Sequence, residues 1–326
     1  MERFIVAQKD GKELSYLDGV DVDMEVGGSN DFEIKTGADT WNGKLGFEKM
    51  IFLNDTEYGG IIEDITSSTA TGEIIITGNT WRGLMEKKII APAQNSSHVS
   101  VSGELNEIIR DLLADRFGDL FVVPEKNTGK VISYTFDRYC TLLSGLEKML
   151  GGIGFRLDIR TKRNNEKRKI EVEVQAVKCK KVEREYNQDN RINFTTRDYR
   201  RGINHLICAG SGEGADREIL HLYVQKDGSI GEQKFYEGLE EREELYSYTN
   251  QSDLEELKKD GIKKLSEICN YKEFKMHVEE IDLEIGDVVI GSDYSTGIRV
   301  EKPIVSKIAK ITDGKFDVEY KLKGEE

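Results

Sequence analysis

The sequence predicts an α+β protein dominated by β-structure, in which two β-barrel or meander domains flank a helix-containing middle domain. Glycine occurs 32 times in the 326 residues, whereas proline occurs only 3 times. Tight turns must therefore be built largely from glycine, as in β-hairpins. Short alternating segments fill both ends of the chain, and helical periodicity is concentrated in the middle. The pattern favours domains at 1–90, 91–185 and 186–326, with a helix at 252–269 inserted in the last.

The first domain, residues 1–90, is predicted to be a meander because turn signals separate short strands every ~8–12 residues. The first strand is Phe4–Ala7, and Lys9–Lys12 forms the turn after it. Gly59 and Gly60 lie inside another predicted strand. Two glycines there indicate a bulge or a sharp bend, of the kind that closes a barrel.

The middle domain, residues 91–185, contains two predicted helices. Apolar residues recur with the spacing of one helical face over 103–117 and over Cys140–Leu150. A glycine pair ends the second helix. Two strands follow, joined by a strongly basic turn, which completes the domain.

The last domain, residues 186–326, returns to strands, including Asn204–Ala209 and Arg217–Val224. Ser252 and Glu255 form a capping box that opens the inserted helix. Near the end, Gly297–Lys302 and Ile304–Ile311 are predicted as separate strands of a closing set.

Charge and composition exclude several classes of protein. The formal net charge is −14, which disfavours non-specific binding to nucleic-acid phosphates. No apolar run approaches the ~20 residues of a membrane span, and the first residues lack the pattern of a secretory signal. Four cysteines and four histidines are scattered along the chain, with no CxxC. This favours reduced thiols in an intracellularly made protein and disfavours a zinc site.

A glycine-rich loop, Gly210–Gly214, resembles a phosphate-binding loop only superficially. A dinucleotide loop requires a helix after the loop, so that the helix N-terminus faces the pyrophosphate. Here the following residues, Arg217–Val224, alternate as a strand. A glycine-rich connection between strands is therefore the favoured interpretation.

Catalytic patterns are equally weak. Neighbouring acids such as Glu63 with Asp64, or Glu279 with Glu280, carry little information in a chain with 61 acidic residues. No GxSxG, SxxK or HExxH motif is present. His205 lies near Cys208, but residues three apart on a strand point to opposite faces. The sequence thus predicts no catalytic, cofactor-binding or metal-binding residue and no enzymatic activity.

Two runs of opposite charge are each interpreted as a solvated surface or as one side of a protein–protein contact. Glu237–Glu244 has five glutamates in eight residues, and Arg156–Lys169 has seven basic residues against Asp158 and Glu166. The acidic run could also repel a polyanion. Complementary patches of this kind permit head-to-side assembly.

Three segments together resemble the siphovirus-type phage tail hub, or baseplate hub, family. They are Gly78–Pro92, with its Ile-x-x-Pro end; Ile203–Arg217, with Asn-x-Leu-Ile and Gly-x-Gly-Glu-Gly; and Leu283–Val300, with Leu-x-x-Gly-Asp. Phe136–Phe155 is similar to the helical element shared by baseplate hubs and type VI spike proteins. The resemblance extends from about residue 3 to residue 323. It implies that both terminal domains are tube-like.

The resemblance implies a structural virion protein of the tail tip or baseplate, made in the bacterial host cytoplasm. It implies a homotrimer that adapts the hexameric tail tube to a three-fold spike or fibre. Tail tube, distal tail and tape measure proteins would be further partners, and DNA would pass without specific binding. Many relatives carry a C-terminal lysozyme, peptidase or host-binding extension; this chain stops at Glu326, so we expect no lysin extension.

Two other functions remain open from the sequence. One is a tail-associated cell-wall hydrolase whose active site has no recognisable motif. The other is a carbohydrate-binding receptor module, for which Trp41 and Trp81 would be the natural sugar platforms. Packing in a core or an interface is the favoured role for both tryptophans.

Overall fold

A computed structural model describes most of the chain and divides it into two compact units. The described residues are 3–38, 41, 43, 45–94, 96–190, 193–212, 214–247, 254–278 and 283–325. The first unit comprises Met1–Arg184, Met276–Val289 and Pro303–Lys321, and the second comprises Glu185–Lys275, Ile290–Lys302 and Leu322–Glu326. The division of the sequence into three domains stays a prediction.

Strands dominate the described residues, which confirms the predicted β-rich α+β class. The helices are α1 (Trp81–Glu86), α2 (Leu105–Leu113), α3 (Leu142–Gly151) and α4 (Leu254–Ile268). The strands are β1 (Ile5–Ala7), β2 (Glu13–Tyr16), β3 (Asp21–Val26), β4 (Asp31–Gly37), β5 (Met50–Phe52), β6 (Gly59–Ser68), β7 (Glu73–Thr80), β8 (Ser100–Glu104), β9 (Phe121–Val122), β10 (Val131–Thr135), β11 (Phe155–Asn164), β12 (Lys169–Lys178), β13 (Lys181–Tyr186), β14 (Asn193–Tyr199), β15 (His205–Ala209), β16 (Ile219–Val224), β17 (Ile230–Gly231), β18 (Glu243–Ser247), β19 (Tyr271–Val278), β20 (Val288–Asp293), β21 (Ile298–Thr312) and β22 (Lys315–Glu325).

The main sheet of the first unit joins early strands to late ones. Its strand order is β22-β21-β3-β4-β7-β6-β5-β1-β2. Strands β3, β4 and β7 alternate strictly between buried residues, most of them apolar, and more exposed positions. One face of these strands therefore packs on the core, and the other carries polar side chains. Among the described helices, none is long and apolar enough to span a membrane.

The glycine pair at the start of β6 serves close packing. Of the two predicted alternatives at Gly59 and Gly60, the bulge is wrong, because the register shifts later, between Ile62 and Asp64. The sharp bend stays a prediction. A Cβ on Gly59 would lie 2.5 Å from Nε1 of Trp81, the first residue of α1. Glycine is therefore needed where the indole crosses the strand.

Helices α2 and α3 pack into the core of the first unit. The predicted helix over 103–117 is shorter at both ends. Glu104 still belongs to β8, and its carboxylate caps α2 by accepting from the N–H groups of Asn106 and Glu107. The helix ends at Ala114, where ψ is 133°. The second predicted helix, over Cys140–Leu150, is confirmed.

The second unit has its own small core around a four-stranded sheet. The strand order is β17-β16-β15-β18, and β18 runs parallel to β15. Helix α4 covers this sheet through Leu257 and Leu265. A Cβ on Gly261 would lie 2.5 Å from Sγ of Cys208, so the glycine allows the close approach of helix and sheet. The capping residue predicted at Ser252 lies outside the described residues.

One late strand is longer than predicted. Gly297–Lys302 and Ile304–Ile311 belong to the single strand β21, which contains Pro303. The predicted break is wrong because proline ends a strand only where its missing N–H is needed by a neighbouring strand. The register of β21 with β3 covers Lys307 to Ile311, beyond the proline.

Candidate functional site

The polar face of the main sheet carries six carboxylates on three strands, β3, β4 and β6. We call this surface the acidic face; its members are Asp23, Glu25, Asp31, Glu33, Glu63 and Asp64, and they line one shallow groove. The alternation of β3 and β4 places the four carboxylates of these two strands opposite the buried residues of the same strands. The pair Glu63 and Asp64, uninformative in the sequence, thus belongs to an extended negative surface.

Like charges face each other within the acidic face. Asp23 and Glu33 are direct partners in the register of β3 and β4. Lys310 follows on the next strand, with its Nζ 4.0 Å from Asp23. Burial raises the pKa of Asp23, and Glu25 and Glu33 add to this, whereas Lys310 opposes it. Like charges opposite each other destabilise a sheet, so packing alone does not account for this arrangement.

A buried charge network lies elsewhere in the same unit. Arg82 of α1 donates to Glu57, to Glu147 at 2.6 Å and to the carbonyl of Leu157 at 3.2 Å. Lys307 of β21 approaches the other oxygen of Glu57 at 3.4 Å. A buried charge is tolerated only when it is paired and hydrogen-bonded; these contacts provide that pairing.

The network continues along β11. Arg156 donates to Asp158 at 2.7 Å and to Asp287 at 3.1 Å. Arg160 donates to Asp158 at 3.3 Å and to Glu284 at 2.9 Å. Lys307 also contacts Glu284 and so joins the two parts.

The cations hold two carboxylates of the network, Glu57 and Asp158, in the ionised state. Burial alone would raise the pKa of Glu57, but Arg82 and Lys307 outweigh it and hold the pKa below the ordinary 4.5. Burial alone would also raise the pKa of Asp158, but its arginine partners outweigh this effect and hold the pKa below the ordinary 3.8. Each charged group just described contacts at least one group of opposite charge, so the network can lock several elements together; it leaves no unpaired base or nucleophile among these groups.

The basic run Arg156–Lys169 was predicted to be a solvated hairpin, and this is wrong for its first part. Arg156 and Asp158 are buried, and Arg160 is half-buried. The tip fits the prediction better: Arg163 is partly exposed and pairs with Glu13. Charged residues at every second position of β11 share one face, and this spacing was the signal that sequence reasoning missed.

The other residues considered from the sequence fall into separate places. Cys208 packs against α4, whereas His205 bonds to His221 and glutamates, so the two do not form a dyad. Arg217 donates to the carbonyl of Gly210 at 3.1 Å and fills the glycine-rich loop, which leads to strand β16. The pair at 279–280 lies outside the described residues.

The two tryptophans have different environments. Trp81 is fully buried, donates from Nε1 to Thr161 Oγ1 at 2.8 Å and meets Phe121 edge-on. A buried indole offers no sugar platform, so the carbohydrate-binding interpretation loses one of its two residues. Trp41 is half-buried. The acidic run Glu237–Glu244 is largely exposed, except that Glu241 turns towards His205.

Comparison with known proteins identifies the fold. No protein-family model matches the sequence, and no curated protein matches it either. The 43 kDa tail protein of prophage MuSo2 from Shewanella oneidensis is similar in structure, with a TM-score of 0.54, 11% identity and 98% of each chain covered. A tail protein from Neisseria meningitidis MC58 has a TM-score of 0.50 at 13% identity, covering 98% of this chain and 96% of its own. The fold predicted from the hub-like motifs is therefore confirmed: it is a phage tail protein fold.

Proposed function

We propose that the chain is a structural hub of a phage tail or baseplate, without catalytic activity. The observation that carries the proposal is the likeness of the whole chain to a prophage tail protein. A homotrimer would form a ring in which each subunit contributes two tube-like domains. Such a ring matches a hexameric tail tube on one side and a three-fold spike or fibre on the other. Closed cyclic symmetry is the usual solution for identical subunits.

The acidic face is proposed to line the DNA path of this ring. Six carboxylates in one groove repel phosphates and so favour passage over binding. The like-charge register of Asp23 and Glu33 costs the sheet stability. Repulsion of DNA would explain why the sheet has these like charges despite the lost stability.

Assembly is proposed to use sheet edges and to involve other tail proteins. Strand β2 ends the main sheet, and Leu14 and Tyr16 on it are exposed. An open edge with exposed apolar side chains is a template for pairing with another chain. The partners would be a second copy of this chain, tail tube, distal tail and tape measure proteins, and a spike or fibre, in the virion of a phage or a phage-derived particle made in the host cytoplasm.

Native mass measurement over a range of concentrations tests the ring directly. The proposal expects a species of three chains, alone or with the tail tube protein. Particles carrying Asp23→Lys and Glu33→Lys should then eject DNA more slowly, whereas reversing two acids outside the groove, Glu237 and Glu240, should leave ejection unchanged. Equal ejection rates would contradict the DNA path, and a chain that stays monomeric with its tail partners would contradict the ring.

Incubation with purified peptidoglycan tests the absence of catalysis. The proposal expects no release of muropeptides by the folded protein. Release that persists after purification to a single species would favour the cell-wall hydrolase instead.

A further inference from the structure

Three side chains of the second unit converge on one point beside β15. Nδ1 of His205 lies 2.9 Å from Oε1 of Glu241 and 2.8 Å from Oε1 of Glu243. The parallel pairing of β15 with β18 produces this approach, because His205 and Glu243 are register partners. The three ligand atoms all lie within 4.8 Å of one another.

The convergence exceeds what hydrogen bonding to the ring requires. A histidine nitrogen carries at most one proton, which serves one acceptor well. Here two carboxylates are directed at the same nitrogen, so they also repel each other. A divalent cation in place of the proton would be contacted by all three atoms and would neutralise both carboxylates.

The surroundings of His205 hold its ring in place for such a role. Nε2 lies 2.8 Å from Nδ1 of His221, and Tyr223 stacks on the ring at a centroid distance of 4.3 Å. A hydrogen-bond partner on the other ring nitrogen is typical of metal-ligating histidines. Glu241 is oriented too, because Lys234 donates to its Oε2 at 2.6 Å and leaves Oε1 for the site.

The donor separations fit a particular coordination geometry. At metal–ligand distances of about 2.1 Å, two donors 2.8–2.9 Å apart subtend an angle of about 85° at the ion. That angle suits neighbouring positions of an octahedron rather than of a tetrahedron. His205 is nearly buried while Glu243 is 55% exposed, so water can fill the remaining positions.

We propose that His205, Glu241 and Glu243 bind one divalent first-row transition cation, with water completing the coordination. Imidazole with carboxylates suits Zn²⁺ or Mn²⁺, whereas Mg²⁺ and Ca²⁺ prefer oxygen ligands alone. The ion would hold the start of β18 against β15. The proposal is independent of the tail-hub function, and the sequence concealed it because His205 and Glu241 lie 36 residues apart.

Competition with a chromogenic chelator tests the site on the full chain. We expect saturable binding of one Zn²⁺ per chain, with Mg²⁺ at the same concentration unable to displace it. Glu243→Gln keeps an oxygen that can accept from His205 but removes the charge, so Zn²⁺ affinity should fall by about tenfold or more. Co²⁺ bound to the wild type should give the weak visible absorption of an octahedral site.

Glu244→Gln is the matched control, because Glu244 follows Glu243 on β18 and points to the other face. Its affinity for Zn²⁺ should equal that of the wild type. Circular dichroism in EDTA checks that each variant is folded, and Glu241→Gln provides a second loss of charge at the site. Absence of saturable Zn²⁺ binding to the wild type, or equal affinity in the wild type and both site variants, would overturn the proposal.

Discussion

Arg82 donates to Glu57 in the interior of the first unit, where only 2% of each side chain is exposed. The pair joins α1 to the connection between β5 and β6, and Lys307 links it to β21. Residues far apart in sequence are therefore held together by charge as well as by apolar packing. Loss of one partner would leave the other buried charge with a single remaining counter-ion, Glu147 for Arg82 or Lys307 for Glu57.

Glu57→Gln should lower the free energy of unfolding by up to about 3–5 kcal/mol, since it removes the buried carboxylate that Arg82 and Lys307 share. Each cation then keeps only one carboxylate partner, Glu147 for Arg82 and Glu284 for Lys307. Chemical denaturation monitored by fluorescence measures the change. Glu48→Gln is the control, because Glu48 forms an exposed pair with Lys9, and such pairs contribute about 0–1 kcal/mol. Equal losses of unfolding free energy in the two variants would show that the buried pair stabilises the protein no more than the exposed pair does.

Acid should destabilise the first unit through the same network. The pKa values of Glu57 and Asp158 lie below their ordinary 4.5 and 3.8. As the pH falls, these carboxylates therefore take up protons in the unfolded chain at a higher pH than in the folded protein. Their contribution to stability is complete above about pH 5 and is lost as the pH falls through the lower pKa values of the folded state. Denaturation series from pH 6 to pH 3 should show this loss. In Glu57→Gln the pH dependence should be shallower; an unchanged slope would contradict the assignment.

Gly59→Ala should destabilise the protein by about 1–3 kcal/mol, the range for overpacking a core. The added Cβ would lie 2.5 Å from Nε1 of Trp81 and 2.9 Å from Cβ of Phe52. Gly46→Ala is the matched control, because no atom lies within 4 Å of its added Cβ. Thermal unfolding of both variants provides the comparison, and a melting temperature for Gly59→Ala at or above that of the control would contradict the packing.

Asp23→Asn should raise the free energy of unfolding by about 0.2–1 kcal/mol, because relief of burial and of the repulsion by Glu33 outweighs the lost contact with Lys310. Asp21→Asn is the comparison on the same strand, because it removes a charge that faces an opposite charge instead of a like one. Asp21 is the register partner of Lys35, so its neutralisation should leave stability equal or lower. Urea denaturation at neutral pH distinguishes the two. Destabilisation by Asp23→Asn would show that the acidic face carries no like-charge cost.

Alternation and helical spacing were sufficient to predict much of the fold. Cys140–Leu150 contains a clean apolar stripe, most of which forms α3, and β16 covers Ile219–Val224 of the alternating segment Arg217–Val224. Element ends were less predictable, because they depend on single contacts such as the cap from Glu104. The strand through Pro303 was missed because its pairing is set by other parts of the chain.

The charged sites were harder to predict, because their members come together only on folding. Arg156 and Asp287 are 131 residues apart, and no local pattern connects them. The acidic face was partly visible, since Asp23 and Glu33 each occupy the polar positions of an alternating strand. Their direct opposition depends on the register of β3 with β4, which the sequence alone did not specify.

Electron cryo-microscopy of the protein assembled with its tail tube partner tests the central claim most directly. The account predicts a ring of three chains around a channel wide enough for duplex DNA, with Asp23 and Glu33 of each chain facing the channel. A particle without three-fold symmetry, or a ring with the acidic face turned to the outside, would contradict it.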